Sequence, residues 1–223
     1  MSPPWRGALW LARDFAILQG EAGSTSEHAH YAHQYLLAAA PMRIRVGGEE
    51  RCGPRLLIES MQAHAVLESI PALLNVFAEP ATLSAAALAQ ALEPLDPDPL
   101  GIAAALCDAR RPLADPRLRL ALETVDASLA DLNGAQPLAA KVRLSLSQLE
   151  RLFAAQVGIP VRPLLRWRRL RFAIALALQG QSLTVAAHAA GFSDSAHFSR
   201  TMRRLFGVRA DLTLRHLRVH LLD

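Results

Sequence analysis

The tightest constraint on this chain is a pattern that occurs twice in its second half. Residues 183–207 read LTVAAHAAGFSDSAHFSRTMRRLFG. A short Ala-rich stretch leads to a glycine, an aromatic residue, a Ser/Asp helix start and a second helix with His, Ser and Arg along one side. Residues 137–158, PLAAKVRLSLSQLERLFAAQVG, repeat the plan upstream. Two helices joined by a tight turn need a small residue where they cross and a turn residue that tolerates positive φ. They leave the second helix exposed, with a shape that fits a major groove. Two such units in one chain imply a reader of two successive grooves on double-stranded DNA.

The charge distribution agrees with a split of roles. Residues 1–112 carry 8 Arg against 12 acidic residues, and the remainder carries 16 basic residues against 8. Within 141–218 there are 14 basic residues and only Glu150, Asp194 and Asp211 to oppose them. A basic half joined to an acidic half predicts that one part binds a polyanion and the other does something else. No stretch reaches the ~20 apolar residues of a membrane span. No basic stretch and apolar run open the chain, so no secretory leader is expected. Cys52 and Cys107 match no metal spacing and read as free, buried thiols of a reducing cytoplasm.

The chain reads as α+β. Met42-Arg43-Ile44-Arg45-Val46 alternates with period two and runs into Gly47-Gly48, a strand and its turn. Further apolar runs at 8–18, 34–39, 55–59, 65–68 and 73–78 suggest a small β-barrel over residues 1–80. Ser84 is expected to cap a helix to Leu92, broken by Pro94, Pro97 and Pro99, and a second short helix covers 100–109. Residues 81–114 thus form short helices and a linker, and 115–223 an all-helical domain. Its helices are expected near 116–129, 136–142, 146–157, 161–179, 183–190, 194–206 and 210–220, with Asp115 and Pro116 opening the first. The long one, 161–179, is expected to set the spacing of the two units.

At this point the residues carry a resemblance. AAHAAGFSDSAHFSR with RRLFGV in the second unit, and LSLSQLERLF with VGIP in the first, resemble the DNA-binding domain of the AraC family of bacterial transcription regulators over residues 115–209. Two departures stand out. Arg143 occupies the first turn where the family has Gly, at an expected cost of about 1 kcal/mol, and Ala210 stands where the family has Pro. The first half more weakly resembles the cupin-like sensor domains of the same family, through His28-x-His30 and the later His64. Metal-binding cupins follow His-x-His with Glu; here that place holds Gln34, a poor ligand beside a carboxylate.

The resemblance implies groove-facing positions at Ser147, Gln148, Glu150 and Arg151 in the first unit, and at Ser195, Ala196, His197, Ser199 and Arg200 in the second. Arg can pair two donors with guanine and Gln can pair with adenine; a phosphate contact or an internal salt bridge is the alternative for Arg151 and Arg200. Arg166, Arg168, Arg169, Arg203 and Arg204 are candidate phosphate contacts, or a solvated basic face. His28, His30, Gln34 and His64 are left open between a ligand pocket, a metal site and ordinary structural residues. No cofactor, no stoichiometric metal and no catalytic group is expected. A one-component regulator that meets RNA polymerase, with a sensing or dimerising barrel that admits a small-molecule effector, is the leading reading. A metal-dependent cupin enzyme with a DNA-binding tail and an effector-independent architectural binder are the alternatives.

Overall fold

The computed structural model describes residues 5–93, 96, 98–132 and 134–222; Pro94 and Pro97, expected as helix breakers, lie outside them. The chain divides into two compact units, Met1–Arg111 with Ser199–Asp223, and Pro112–Phe198. The return of the last residues to the sheet unit was not expected, and it follows from their strand pairing.

The first unit is built on a seven-stranded sheet of β1 (Arg6–Leu11), β2 (Phe15–Ala22), β3 (His33–Val46), β4 (Glu49–Ile58), β5 (His64–Val66), β6 (Ile70–Ala78) and β7 (Leu217–Leu221). The order is β4-β3-β6-β2-β1-β7, with β5 beside the far end of β3. Every pairing is antiparallel except β1 with β7. The 8–18 run, expected as one strand, breaks in two at a turn closed by Ala12 N–H to the Phe15 carbonyl. Met42, Ile44 and Val46 are buried while Arg43 and Arg45 are exposed, as the alternation requires. Gly47 and Gly48, at φ +61° and +88°, close a two-residue hairpin that pairs Val46 with Glu49; L-residues rarely adopt two such angles in succession. Between Leu37 and Met42 the β3–β4 register shifts, at the stretch that holds Pro41, which has no N–H for the ladder.

Two helices cover one face of this sheet. In α1 (Ala85–Leu92) Ser84 caps through Ala87 N–H, and in α2 (Pro99–Asp108) Asp98 caps through Gly101 N–H with Pro99 in the first turn. Leu88, Leu92, Ile102 and Leu106 pack with Phe15, Ile17, Tyr35, Leu37, Leu74 and Val76, the alternate residues of β2, β3 and β6. Cys52 and Cys107 are free but exposed, which corrects the expectation of buried thiols.

The C-terminal residues depart most from expectation. A helix over 210–220 was expected; α9 (Ala210–Thr213) is followed by one 3-10 turn and then by β7. Leu217-Arg218-Val219-His220-Leu221 alternates with period two, and it pairs with the open edge of β1, Gly7 opposite Leu217 through Leu11 opposite Leu221. Ladder bonds to an unpaired edge outweigh one more exposed helical turn. His220 stacks on Trp10, ring centroids 5.0 Å apart.

The second unit holds α3 (Pro116–Ser128), α4 (Ala135–Lys141), α5 (Leu146–Val157), α6 (Val161–Leu178), α7 (Leu183–Ala189) and the start of α8 (Ser195–Phe206). Asp115 caps α3 through Arg117 N–H, with Pro116 in the first turn. Leu118, Leu122 and Val125 form the buried stripe of α3; Leu149 and Phe153 of α5 and Leu164, Trp167 and Leu170 of α6 are buried as well. No described helix is long and apolar enough to cross a membrane.

Candidate nucleic-acid interface

The two helix pairs α4–α5 and α7–α8 turn in the same way. After α4, Arg143 N–H donates to the Ala140 carbonyl and Leu144 N–H to that of Ala139. After α7, Gly191 N–H donates to His188 and Phe192 N–H to Ala187. Both are the paired bonds of a helix stop with a left-handed residue followed by an apolar one. Gly191 has φ +76° and Arg143 φ +57°, so the arginine takes the left-handed conformation that glycine takes in the second pair. Phe192 is buried and packs on Phe198.

Each following helix has its own start. Ser145 caps α5 by accepting from Gln148 N–H, and the Gln148 side chain accepts from Ser145 N–H, a reciprocal box. Asp194 starts α8, its carboxylate accepting from His197 N–H at 2.6 Å. Apolar residues at helical spacing then settle the buried side: Leu149, Leu152 and Phe153 in α5, Phe198 and Met202 in α8.

That fixes which expected positions are exposed. Ser147 and Arg151 in α5, and Ala196, His197 and Arg200 in α8, are exposed; Ser195, Ser199 and Glu150 are partly so. Two of these are already engaged. Gln148 is exposed but its amide oxygen belongs to the capping box, and Glu150 lies 3.5 Å from the Arg162 guanidinium. His197 sits edge-on to Phe192 and within 3.2 Å of the Ser193 hydroxyl.

Among the phosphate candidates Arg166, Arg203 and Arg204 are exposed. Arg168 requires correction: it is 6% exposed and pairs with Asp126 of α3. A guanidinium removed from water keeps its charge only beside a counter-charge, so this arginine ties α3 to α6 and does not face solvent. Arg169 is partly buried beside the Gly191 turn. Nothing local to either residue signals the Asp126 pairing, because 42 residues separate the partners.

The four expected pocket residues do come together, inside the first unit. His28, His30, Gln34 and His64 are 8%, 2%, 2% and 1% exposed. Burial holds the His28 ring at a pKa of about 3 and keeps His30 and His64 below the ordinary imidazole value, so all three rings are neutral at neutral pH. A cleft of about 400 Å³ in the same unit is lined by other residues, among them Leu37, Arg55, Leu73 and Leu74. Phe206 and Gly207 beside the histidines were not singled out from the sequence. The only signal was the glycine itself, which reads equally well as a helix end.

A family model described as a helix-turn-helix domain matches residues 138–216. A solved transcriptional regulator from Chromobacterium violaceum, with an AraC-type DNA-binding domain, is 32% identical over 42% of this chain and 85% of its own, at a TM-score of 0.39. Apo ToxT from Vibrio cholerae, in a variant form, aligns over 91% of this chain and 97% of its own with a TM-score of 0.57 and 11% identity. Wild-type ToxT with a bound unsaturated fatty acid aligns over 88% and 93%, with a TM-score of 0.55 and 11% identity. These two show a shared fold. Among curated proteins no relative matches.

Proposed function

We propose how this chain, which belongs to the AraC family of DNA-binding transcription regulators, reads its site: α5 and α8 are the recognition helices of two helix-turn-helix units that enter successive major grooves. The observation that carries the reading is the repeated turn, Arg143-Leu144 and Gly191-Phe192, with the same pair of hydrogen bonds and an exposed polar helix face after each. In α5 the base-reading set is Ser147, Glu150 and Arg151, with Gln148 joining on release from its cap. In α8 it is Ser195, Ala196, His197, Ser199 and Arg200. Arg151 and Arg200 offer two parallel donors to guanine; Arg166, Arg169, Arg203 and Arg204 bind phosphates and set register.

Residues 1–80 act as a cupin-like sensing or dimerising barrel, 81–114 as connecting helices, and 115–223 as the part that reads DNA and meets RNA polymerase. Support for small-ligand control comes from the buried polar group around His30 and from the shared fold with ToxT, which was solved with a fatty acid bound.

The test is selection of bound duplexes from a randomised library with the full chain. Two specified blocks about one helical turn, ~10 bp, apart are expected. A single block, or retention of all sequences alike, contradicts the two-unit reading.

A further inference from the structure

His28, His30 and His64 are arranged in a way that DNA reading does not require. Their ring centroids are 4.1 Å apart for His28 and His64, 5.1 Å for His30 and His64, and 5.9 Å for His28 and His30. Each Nδ1 faces a backbone carbonyl: Ser26 at 2.8 Å, Ala32 at 3.0 Å and Gln62 at 2.8 Å. A carbonyl only accepts, so each Nδ1 carries the ring proton and Nε2 of His28 and of His64 is left with its lone pair; His30 Nε2, 3.1 Å from the Gln34 amide, presents its lone pair when that amide turns its NH2 toward the ring. A ligand nitrogen from each ring lies within 4.8 Å of those of the other two. His64 Nε2 is buried and has no hydrogen-bond partner among the described residues.

This is the arrangement that prepares imidazoles as metal ligands. The carbonyl behind each ring sets its tautomer and raises its basicity. Nitrogen donors favour zinc-like ions over magnesium or calcium, which take oxygen. The substitution of Gln34 for a carboxylate argued from sequence against a metal. Three histidines with an open fourth position are nevertheless a complete zinc-binding set. Gln34 Oε1, 3.1 Å from His30 Nε2, stands next to that set.

The same segment holds the end of α8. Ser26 N–H and its hydroxyl both donate to the Gly207 carbonyl at 3.3 Å, and the Ser26 carbonyl is the one that His28 Nδ1 faces. Gly207, at φ +68°, fits so closely that a Cβ would lie 2.4 Å from the Ser26 oxygen and 2.8 Å from His28 Nδ1. Phe206, the last residue of α8, packs on His30 and Phe77 with centroids 5.7 and 5.5 Å away. Two of the three ligand rings therefore touch the last turn of the helix that carries Arg200, Arg203 and Arg204. A tetrahedral ion with bonds of about 2.0–2.1 Å sets its nitrogens roughly 3.3 Å apart, and any shift of His28 to reach it is passed through the Ser26 carbonyl to Gly207.

We propose that His28, His30 and His64 bind a divalent cation of the zinc class, and that loading fixes the end of α8 and so makes DNA binding by this chain metal-responsive. The metal site stands on its own geometry; the response rests on α8 as a recognition helix.

The experiment uses the full chain, stripped with a chelator and titrated with Co²⁺ and then Zn²⁺. One cobalt per chain, with the visible absorption of a tetrahedral nitrogen site and displacement by zinc, is expected. His28→Asn and His64→Asn, checked for folding by circular dichroism, should each abolish it. Zinc should then tighten binding to the selected duplex by about 5–150-fold, and Phe206→Leu should keep the cobalt spectrum while shrinking that ratio. No cobalt or zinc bound at equimolar metal by the unaltered chain overturns the site, whether or not the variants fold. Binding that persists unchanged in folded histidine variants does the same. Equal DNA affinity with and without zinc overturns the response, and the cobalt titration decides the site even if the chain binds no DNA.

Discussion

Arg143 holds the first turn at a cost. Its φ of +57° lies where a Cβ crowds the following carbonyl, and the equivalent residue of the second turn is Gly191. Replacing Arg143 with Gly removes the clash but frees the unfolded chain. A gain of up to ~1 kcal/mol is expected, read as a higher urea midpoint with an unchanged m-value. Asp14 is the counter-case, a side chain whose charge the fold protects. It is buried, which raises its pKa, but Arg110 donates to both its oxygens at 3.0 and 2.7 Å, and the Thr82 side chain and the Arg110 and Arg13 charges add to this, so the net effect is a lowered pKa. A carboxylate with a depressed folded pKa stabilises the fold above its unfolded value, near ~3.9, and that contribution is lost as the pH falls through the folded pKa. Asp14→Asn should therefore cost about 2 kcal/mol at pH 7 and flatten the stability profile below about pH 4. An unaltered acid limb in urea melts from pH 5 to 2 (a range about the carboxylate pKa) would show that the Asp14 pKa is the same in the folded and unfolded chain.

At the scale of elements, β7 is the one the sequence concealed. It adds five residues to the edge of β1, and cross-strand positions contribute roughly 0.2–1 kcal/mol each. Deleting 217–223 should cost about 1–3 kcal/mol and expose β1 to self-association, visible as a lower melting temperature and a concentration-dependent sedimentation profile. A truncated chain as stable and as monomeric as the full one would show that the pairing is inert. The helices were legible because their caps are local: Ser84, Asp115, Ser145 and Ser182 each accept from an N–H two or three residues on. The Gly47-Gly48 hairpin was legible for the same reason. The fate of 217–221 depends on an edge more than 200 residues away, and a period-two run after a helix gives no sign of its partner. Arg168 was misread on similar grounds. An arginine in a basic stretch looks solvent-facing until the carboxylate of Asp126 is found beside it. The histidine cluster falls between these cases. His28 and His30 announce themselves by spacing, but only the β5 placement brings His64 to them, through the bridge between His28 and His64.

For the molecule as a whole, the claim is that a basic second half reads DNA by base contacts as well as by charge. Both kinds of contact come from α8, so one helix supplies the comparison. Arg200 is exposed on the face opposite Phe198 and Met202, at the middle of the helix, while Arg204 lies one turn further on. A base contact favours one sequence over others; a phosphate contact favours all sequences equally and releases about one counterion. The decisive measurement is the affinity of the full chain, Arg200→Ala and Arg204→Ala for a library of site variants at two salt concentrations. The account predicts that Arg200→Ala costs ~1–3 kcal/mol and relaxes one position of the site, while Arg204→Ala weakens every sequence alike and lowers the salt slope by about one. An Arg200→Ala protein that loses affinity evenly across the library would contradict it, and α8 would then be a backbone-binding helix and not a reader of bases.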